Sequence, residues 1–441
     1  MLNGWWCEQA WLPSGVVARN VRIDVSEGRI TAVTPDRPAG DARRLSGLTL
    51  PGFANAHSHA FHRALRGRTQ QGGGTFWTWR EQMYAVAGRL DPDTHLALAR
   101  ATYAEMALAG ITCVGEFHYL HHQPGGSPYD QPNAMGEVLI QAAAEAGIRI
   151  TLLDTCYLAG GIGRPLEEPQ LRFGDRAAAS WAERAAALST SDTARIGAAL
   201  HSVRAVPADQ IAQIVEWAGV RQAPLHVHLS EQVAENEQCL AAYGMTPTQL
   251  LADRGALGPR TVAVHGTHLT QGDIALLGSG GTGVCLCPTT ERDLADGIGP
   301  ARRLATAGSP LSLGSDSHAV IDLLEEARAV ELDERLSTQE RGHFDPRELL
   351  EMATAAGHAA LGWPAAGRLE PGALADFTTV RLDGPRTAGA GDHAAETIVF
   401  AATGADVTGV VVDGREVVRD GRHLLVPDVA RALDEAIGAV T

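Results

Sequence analysis

Leu225-His226-Val227-His228-Leu229-Ser230-Glu231 opens with a short apolar run alternating with histidine, Leu225–Leu229, and carries a carboxylate just beyond its end. It is too short for a stable helix and suits a buried strand with its chemistry gathered at the C-terminal end. Seven other runs have the same form, ending at Phe53-Ala54-Asn55, Thr112–Glu116, Ile150–Asp154, Ile196–Leu200, Val262–Val264, Val284–Leu286 and Leu311–Leu313. Stretches with apolar residues at helical spacing lie between them, including Thr94–Ala109, Pro132–Ala146, Ala208–Ala218 and Asp322–Leu336. Eight strands alternating with helices predict an α/β chain whose residues 51–365 form a (β/α)8 TIM-like barrel. Its active groups belong just beyond the strands' C-terminal ends.

The flanks read differently. Val17, Val21, Ile23 and Val25 alternate in period two, Glu27-Gly28 marks a turn, and Arg29–Val33 continues as a second strand. Ala375–Val380 and Val407–Val418 repeat the pattern, with Asp413-Gly414 as a hairpin turn. Residues 1–50 and 366–441 therefore predict one small β-sandwich domain built from both termini. Gly72-Gly73-Gly74 predicts a mobile loop.

Composition bounds the function. Of 441 residues, 45% are hydrophobic and 20% charged, which places the chain among folded globular proteins. A formal charge of −16 argues against nucleic acid and anionic membrane surfaces as partners, while leaving room for a local arginine pocket. No apolar run is long enough to span a bilayer and no leader pattern opens the chain, so a cytoplasmic location is expected. The six scattered cysteines read as reduced thiols, with Cys285 and Cys287 on a buried strand.

Four strand ends carry the chemistry. His57-Ser58-His59 places two imidazoles on the same side of extended backbone. His228 with Glu231, His265 with His268, and Gly314-Ser315-Asp316-Ser317-His318 follow other strands. His226, His268 and His318 read as structural polar residues. The remaining groups read as metal donors and their neighbours, because one divalent cation satisfies several converging polar groups that otherwise each need a separate partner.

These segments, with Pro51–His59 and Gly367–Phe377, resemble the amidohydrolase superfamily over nearly the whole chain. No lysine stands on the fourth strand, where His201 is found, so the pattern is closest to the mononuclear deaminases. The resemblance implies one zinc per chain, held by His57, His59, His228 and Asp316, that activates water. It also implies Asp316 as proton acceptor, His265 as orienting and charge-stabilising group, and Glu231 as proton shuttle. Phe76–Arg80, Gly115–His122, His201–Val206 and Cys287–Gly299 resemble the formimidoylglutamate deiminases more narrowly. That family converts N-formimidoyl-L-glutamate and water to N-formyl-L-glutamate and ammonia in histidine degradation. It implies a small dicarboxylate substrate, with Arg204, Tyr119 and His201 on the α-carboxylate and Arg80 on the side-chain carboxylate. His62 stands where the family has a carboxylate-binding glutamine. The family also implies a homodimer.

Two alternatives remain at this level. One is deamination of a cyclic amidine such as guanine, cytosine or a thioadenosine-type nucleoside, which aromatic stacking walls favour and paired arginines disfavour. The other is a non-catalytic barrel, which the complete donor and shuttle set argues against. Glu116, His118, His121 and His122 read either as lining the mouth of the site or, as simply, as a charged loop facing water.

Overall fold

A computed structural model describes residues 3–70 and 73–441, so Gly72 of the predicted loop lies outside the described residues. Two eight-stranded sheets organise the chain. The first begins with β1 (Asn3–Trp11), β2 (Val17–Ser26), β3 (Arg29–Thr34) and β4 (Arg43–Pro51). The chain then builds the second sheet from β5 (Phe53–Ser58), β6 (Ile111–His118), β7 (Arg149–Cys156), β8 (Ala194–Leu200), β9 (Leu225–Leu229), β10 (Thr261–His265), β11 (Gly283–Leu286) and β12 (Leu311–Leu313). It returns to the first sheet with β13 (Phe377–Val380), β14 (Val407–Val412), β15 (Arg415–Arg419) and β16 (Arg422–His423).

Strands β5 to β12 are hydrogen-bonded in sequence order, and every pair is parallel. This is the predicted TIM-like barrel. All eight predicted strands are present, two of them with the predicted bounds (Leu225–Leu229 and Leu311–Leu313). The predicted helices also form, at Pro92–Leu108, Ala134–Ala146, Ile211–Arg221 and Leu323–Thr338. The seam between β5 and β12 closes through the residues that carry the chemistry. Asp316 pairs with Ser58 as a parallel bridge, its N–H donates to the His57 carbonyl at 3.0 Å, and the His59 N–H donates back to the Asp316 carbonyl at 3.4 Å. Gly314 permits this approach, because a Cβ there would lie 2.7 Å from the His57 Cβ.

The other sheet runs β16-β15-β14-β13-β4-β1-β2-β3 and draws on both ends of the chain. Its own core joins Trp5, Ile23, Val25 and Phe377, with the Trp5 and Phe377 rings edge to face at 5.5 Å. The last helix, Val429–Val440, buries Val429, Leu433, Ala436, Ile437 and Val440 and packs on Pro92–Leu108, so the C-terminus ends against the barrel. No helix among the described residues is long and apolar enough to cross a membrane.

One buried ion pair ties the two sheets. Arg149, at the start of β7, donates to Asp376 through Nε at 2.6 Å and Nη2 at 3.1 Å, and reaches Asp413 of the β14–β15 turn at 3.2 Å. Arg149 and Asp376 are essentially inaccessible to solvent. Deleting one partner strands the other charge in a low-dielectric interior. Asp376→Ala is accordingly expected to lower stability by about 3–5 kcal/mol in urea unfolding, with little change in activity per folded molecule, because the pair lies at the strands' N-terminal ends, away from the donors.

Candidate active site

The strand ends bring the predicted donors together. His57, His59, His228 and Asp316 each offer an atom within 4.8 Å of all the others, and all four are buried. Backbone carbonyls fix two of the rings. His59 Nδ1–H donates to the Phe117 carbonyl at 2.9 Å, and His228 Nδ1–H donates to the His201 carbonyl at 2.8 Å. Both Nε2 lone pairs therefore face the Asp316 carboxylate and one another. His57 Nε2 lies 3.1 Å from His228 Nε2 and 3.2 Å from Asp316 Oδ1, and His59 Nε2 lies 3.4 Å from the same oxygen.

The electrostatics agree with that geometry. Burial holds His57, His59 and His228 below the ordinary imidazole range, so all three are neutral. Burial pushes the Asp316 carboxyl the other way but is outweighed by the surrounding histidines, which keep it ionised and below the carboxylate range. Converging neutral lone pairs beside one carboxylate repel each other unless a cation lies among them. Three imidazole nitrogens and one carboxylate oxygen suit a borderline divalent metal. The chain contains no lysine, its 36 basic residues all being arginine, so no lysine can bridge a second metal here.

His265 and Glu231 flank the donors. His265 Nε2 lies 3.9 Å from both Glu231 Oε1 and Asp316 Oδ2, while Nδ1 faces Glu291 Oε1 at 3.4 Å. Burial opposes a charge on His265, yet these carboxylates win and raise it well above the usual imidazole range. Burial raises the Glu231 carboxyl, against His265 and Arg204, which pull it down. Left-handed backbone at Ser230 (φ 52°), His265 (φ 71°) and Asp316 (φ 39°) turns the chain sharply at three of these strand ends.

A cleft opens over this group, and His62, Arg80, Tyr119, His201 and Arg204 all line it. Arg204 Nε donates to the buried Glu235 at 2.8 Å, and its terminal nitrogens have no hydrogen-bond partner among the described residues. Arg80 stacks on Trp77 at 4.6 Å and Tyr84 at 5.5 Å and has no carboxylate partner among them. The Tyr119 hydroxyl meets His62 Nε2 at 3.0 Å. Burial lowers His62 to about 3, so it acts as a neutral ring. Phe76, Trp79, Tyr84, Tyr157 and Phe173 complete an aromatic wall.

Of the three histidines read as structural, His226 and His318 are buried and hydrogen-bonded, whereas His268 is half-buried. His226 Nε2–H donates to the Ala360 carbonyl at 3.0 Å, and His318 bridges the Ser58 and Ser315 hydroxyls at 3.1 and 3.0 Å. His268 resolves no role in the site beyond its carbonyl, which accepts from Asn236 at 2.6 Å. Glu116, His118, His121 and His122 are not on a loop facing water. All four are buried, because β6 runs on through His118 and the next residues tuck under the Glu168–Phe173 turn. Glu116 accepts from the Ser58 hydroxyl and the Ala60 N–H, each at 2.7 Å, bracing the His57-Ser58-His59 backbone from behind. Two neighbours of the site lie in the Cys287–Gly299 run that carried the narrower resemblance, which gave neither a role in the site. Glu291 sits in a helical turn after β11, and the Cys287 thiol lies with His265 and Asp316.

This barrel gathers at its strand ends a set of donors that could hold a divalent metal. The amidohydrolase family model matches residues 48–417, and the chain belongs to that family. It is 39% identical to the formimidoylglutamate deiminase of Pseudomonas aeruginosa, over 98% of each chain. It is 31% identical to the 5-methylthioadenosine/S-adenosylhomocysteine deaminase of Halobacterium salinarum, over 95% of this chain and 92% of that one. A crystal structure of an amidohydrolase from Brucella melitensis superimposes over 99% of both chains with a TM-score of 0.90 at 34% identity. The chain is a hydrolase acting on C–N bonds, of the amidohydrolase deiminase type.

Glu291 Oε1 also accepts from the Cys287 N–H at 3.0 Å, which locks it in place behind His265. Glu291→Ala frees that ring to rotate. Turnover is expected to fall roughly 10- to 100-fold with KM within about threefold, measured by steady-state ammonia release.

Proposed function

We propose that the chain hydrolyses N-formimidoyl-L-glutamate to N-formyl-L-glutamate and ammonia, a step of histidine degradation, with one zinc held by His57, His59, His228 and Asp316. The observation that carries this reading is that Arg80 and Arg204 line the same cleft as the donor set, Arg80 without a carboxylate partner and Arg204 held by Glu235 through Nε alone, so that both keep terminal guanidinium nitrogens without a hydrogen-bond partner among the described residues. In a chain of net charge −16, two such groups beside one site favour a substrate with two carboxylates. The planar fork of Arg204, fixed by Glu235, suits the α-carboxylate together with Tyr119 and His201. Arg80 suits the side-chain carboxylate, and His62 supports Tyr119 through their mutual contact.

When bound, the zinc supplies Lewis acidity and makes water acidic enough to react near neutral pH. Asp316, ionised, accepts a proton from the attacking water as its oxygen bonds to the formimidoyl carbon. His265, protonated and braced by Glu231 and Glu291, orients that water and stabilises the charge that develops. Glu231 carries protons to the imino nitrogen. The C–N bond breaks, both water protons end on that nitrogen, and ammonia leaves while the formyl group stays on glutamate.

A second reading is deamination of a cyclic amidine, favoured by the aromatic wall of Phe76, Trp79, Tyr84, Tyr157 and Phe173. Ammonia release from N-formimidoyl-L-glutamate, guanine, cytosine and 5-methylthioadenosine separates the two. The diacid alone is expected to turn over, with activity lost to a chelator and restored by zinc; turnover of a nucleobase or nucleoside alone contradicts the proposal. Arg204→Ala is expected to lower kcat/KM for the diacid by roughly 30-fold or more, the range for losing one partner of a buried charge pair. His62→Gln, which keeps a hydrogen-bonding group opposite Tyr119, is expected to change kcat/KM less than about tenfold.

A further inference from the structure

A second group of metal-type donors lies on the far side of β6. His118 and Asp154 are register partners in β6 and β7, so both side chains project from the same face of the barrel sheet. Phe117, one residue earlier, projects the other way, its ring 5.1 Å from His57 and 4.3 Å from His228. His118, His121 and Asp154 therefore meet outside the barrel wall, each with a donor atom within 4.8 Å of the other two, and all are buried. The strand itself separates them from the donor set of the cleft.

Their hydrogen bonding leaves lone pairs over. His121 Nε2–H donates to the Thr155 carbonyl at 2.8 Å, which fixes Nδ1 as a bare acceptor, and Nδ1 is buried without a partner. Neither ring nitrogen of His118 has a hydrogen-bond partner among the described residues. His95, whose ring lies 6.2 Å from that of His118, is buried with both nitrogens unpartnered. Asp154 is oriented rather than consumed by its neighbours. Oδ1 takes the Trp181 Nε1–H at 2.8 Å and Arg184 Nη2 at 2.9 Å, while Oδ2 takes only Arg184 Nη1 at 2.9 Å and keeps a lone pair.

The charge count points the same way. Arg184 is shared between Asp154 and Asp175, at 2.9 and 2.8 Å, so two buried carboxylates face one guanidinium. Arg184 then plays the part that an outer-shell group plays at many metal sites, holding the carboxylate ligand in one orientation. Two imidazoles and a carboxylate suit zinc, cobalt(II) or a similar borderline divalent ion, and an ion there would satisfy several buried acceptors at once.

We propose that His118, His121 and Asp154 form a second, structural site for a divalent transition metal. The site is independent of the metal in the cleft but mechanically joined to it. The Phe117–His118 peptide belongs to both, its carbonyl anchoring His59 and its next side chain serving the second ion.

Metal content per chain, measured by mass spectrometry on full-length protein expressed with cobalt(II) or zinc and freed of loose ions by gel filtration, tests this. The wild-type chain is expected to hold two ions, His57→Ala one, His118→Ala and His121→Ala one each, and His57→Ala/His121→Ala none. Far-UV circular dichroism checks that each variant is folded, and His118→Gln and His121→Gln replace any alanine variant that is not. A wild-type chain holding one ion with His57→Ala holding none overturns the proposal, as does an unchanged count in folded His118 and His121 variants. A wild-type chain with one ion that survives His57→Ala supports the second site and contradicts the metal reading of the cleft.

Discussion

The structure depends on how the barrel closes. Parallel strands leave two open edges, and an unpaired edge exposes backbone groups that must find partners. Here the last edge meets the first through a few backbone contacts between His57-Ser58-His59 and Asp316, allowed by the missing side chain at Gly314. The contact that completes the sheet thereby sets three of the four donors side by side. His228 enters from the far side of the barrel, its ring held by the His201 carbonyl. The convergence of the donors and the closure of the barrel are thus two consequences of one seam.

Around that seam the charges are graded. Three neutral imidazoles surround an ionised Asp316, a protonated His265 stands next to it, and Glu231 beyond has its carboxyl raised by burial. Groups whose surroundings push their proton affinities apart can divide the work of accepting and delivering protons. Further out the cleft changes sign, with Arg80 and Arg204 facing whatever enters. The absence of lysine means that all fixed positive charge comes as guanidinium, which pairs with planar anions in defined geometry.

The sequence made the barrel legible because each strand is a short apolar run ending in a polar cluster, and β9 and β12 were bounded to the residue. The pairing of His57 with His59 was legible because alternation in His57-Ser58-His59 puts both imidazoles on one face, whereas the same alternation in His226-Val227-His228 does not separate His228, which joins them, from His226, which bonds the Ala360 carbonyl. What lay outside its reach was support from a distance. Glu291 acts on His265 across 26 residues and Glu116 on Ser58 across 58, separations that no local periodicity encodes. That Glu116, His118, His121 and His122 could be read as solvent-facing has the same root. A run dense in histidine and glutamate resembles a surface loop until its partners, Arg172, Asp175 and Arg184, arrive from later in the chain. The hydrogen bond from His121 to the Thr155 carbonyl likewise becomes visible only when β7 lies beside β6.

The proposed reaction requires one metal at the barrel seam and a diacid held by two arginines. Its most direct test is a crystal structure of the zinc-loaded chain with the product N-formyl-L-glutamate, using anomalous scattering at the zinc edge. The account predicts an anomalous peak at bonding distance from His57, His59, His228 and Asp316, with one product carboxylate on Arg204 and the other on Arg80. A cleft peak on other ligands, or a product whose carboxylates avoid both arginines, would contradict it.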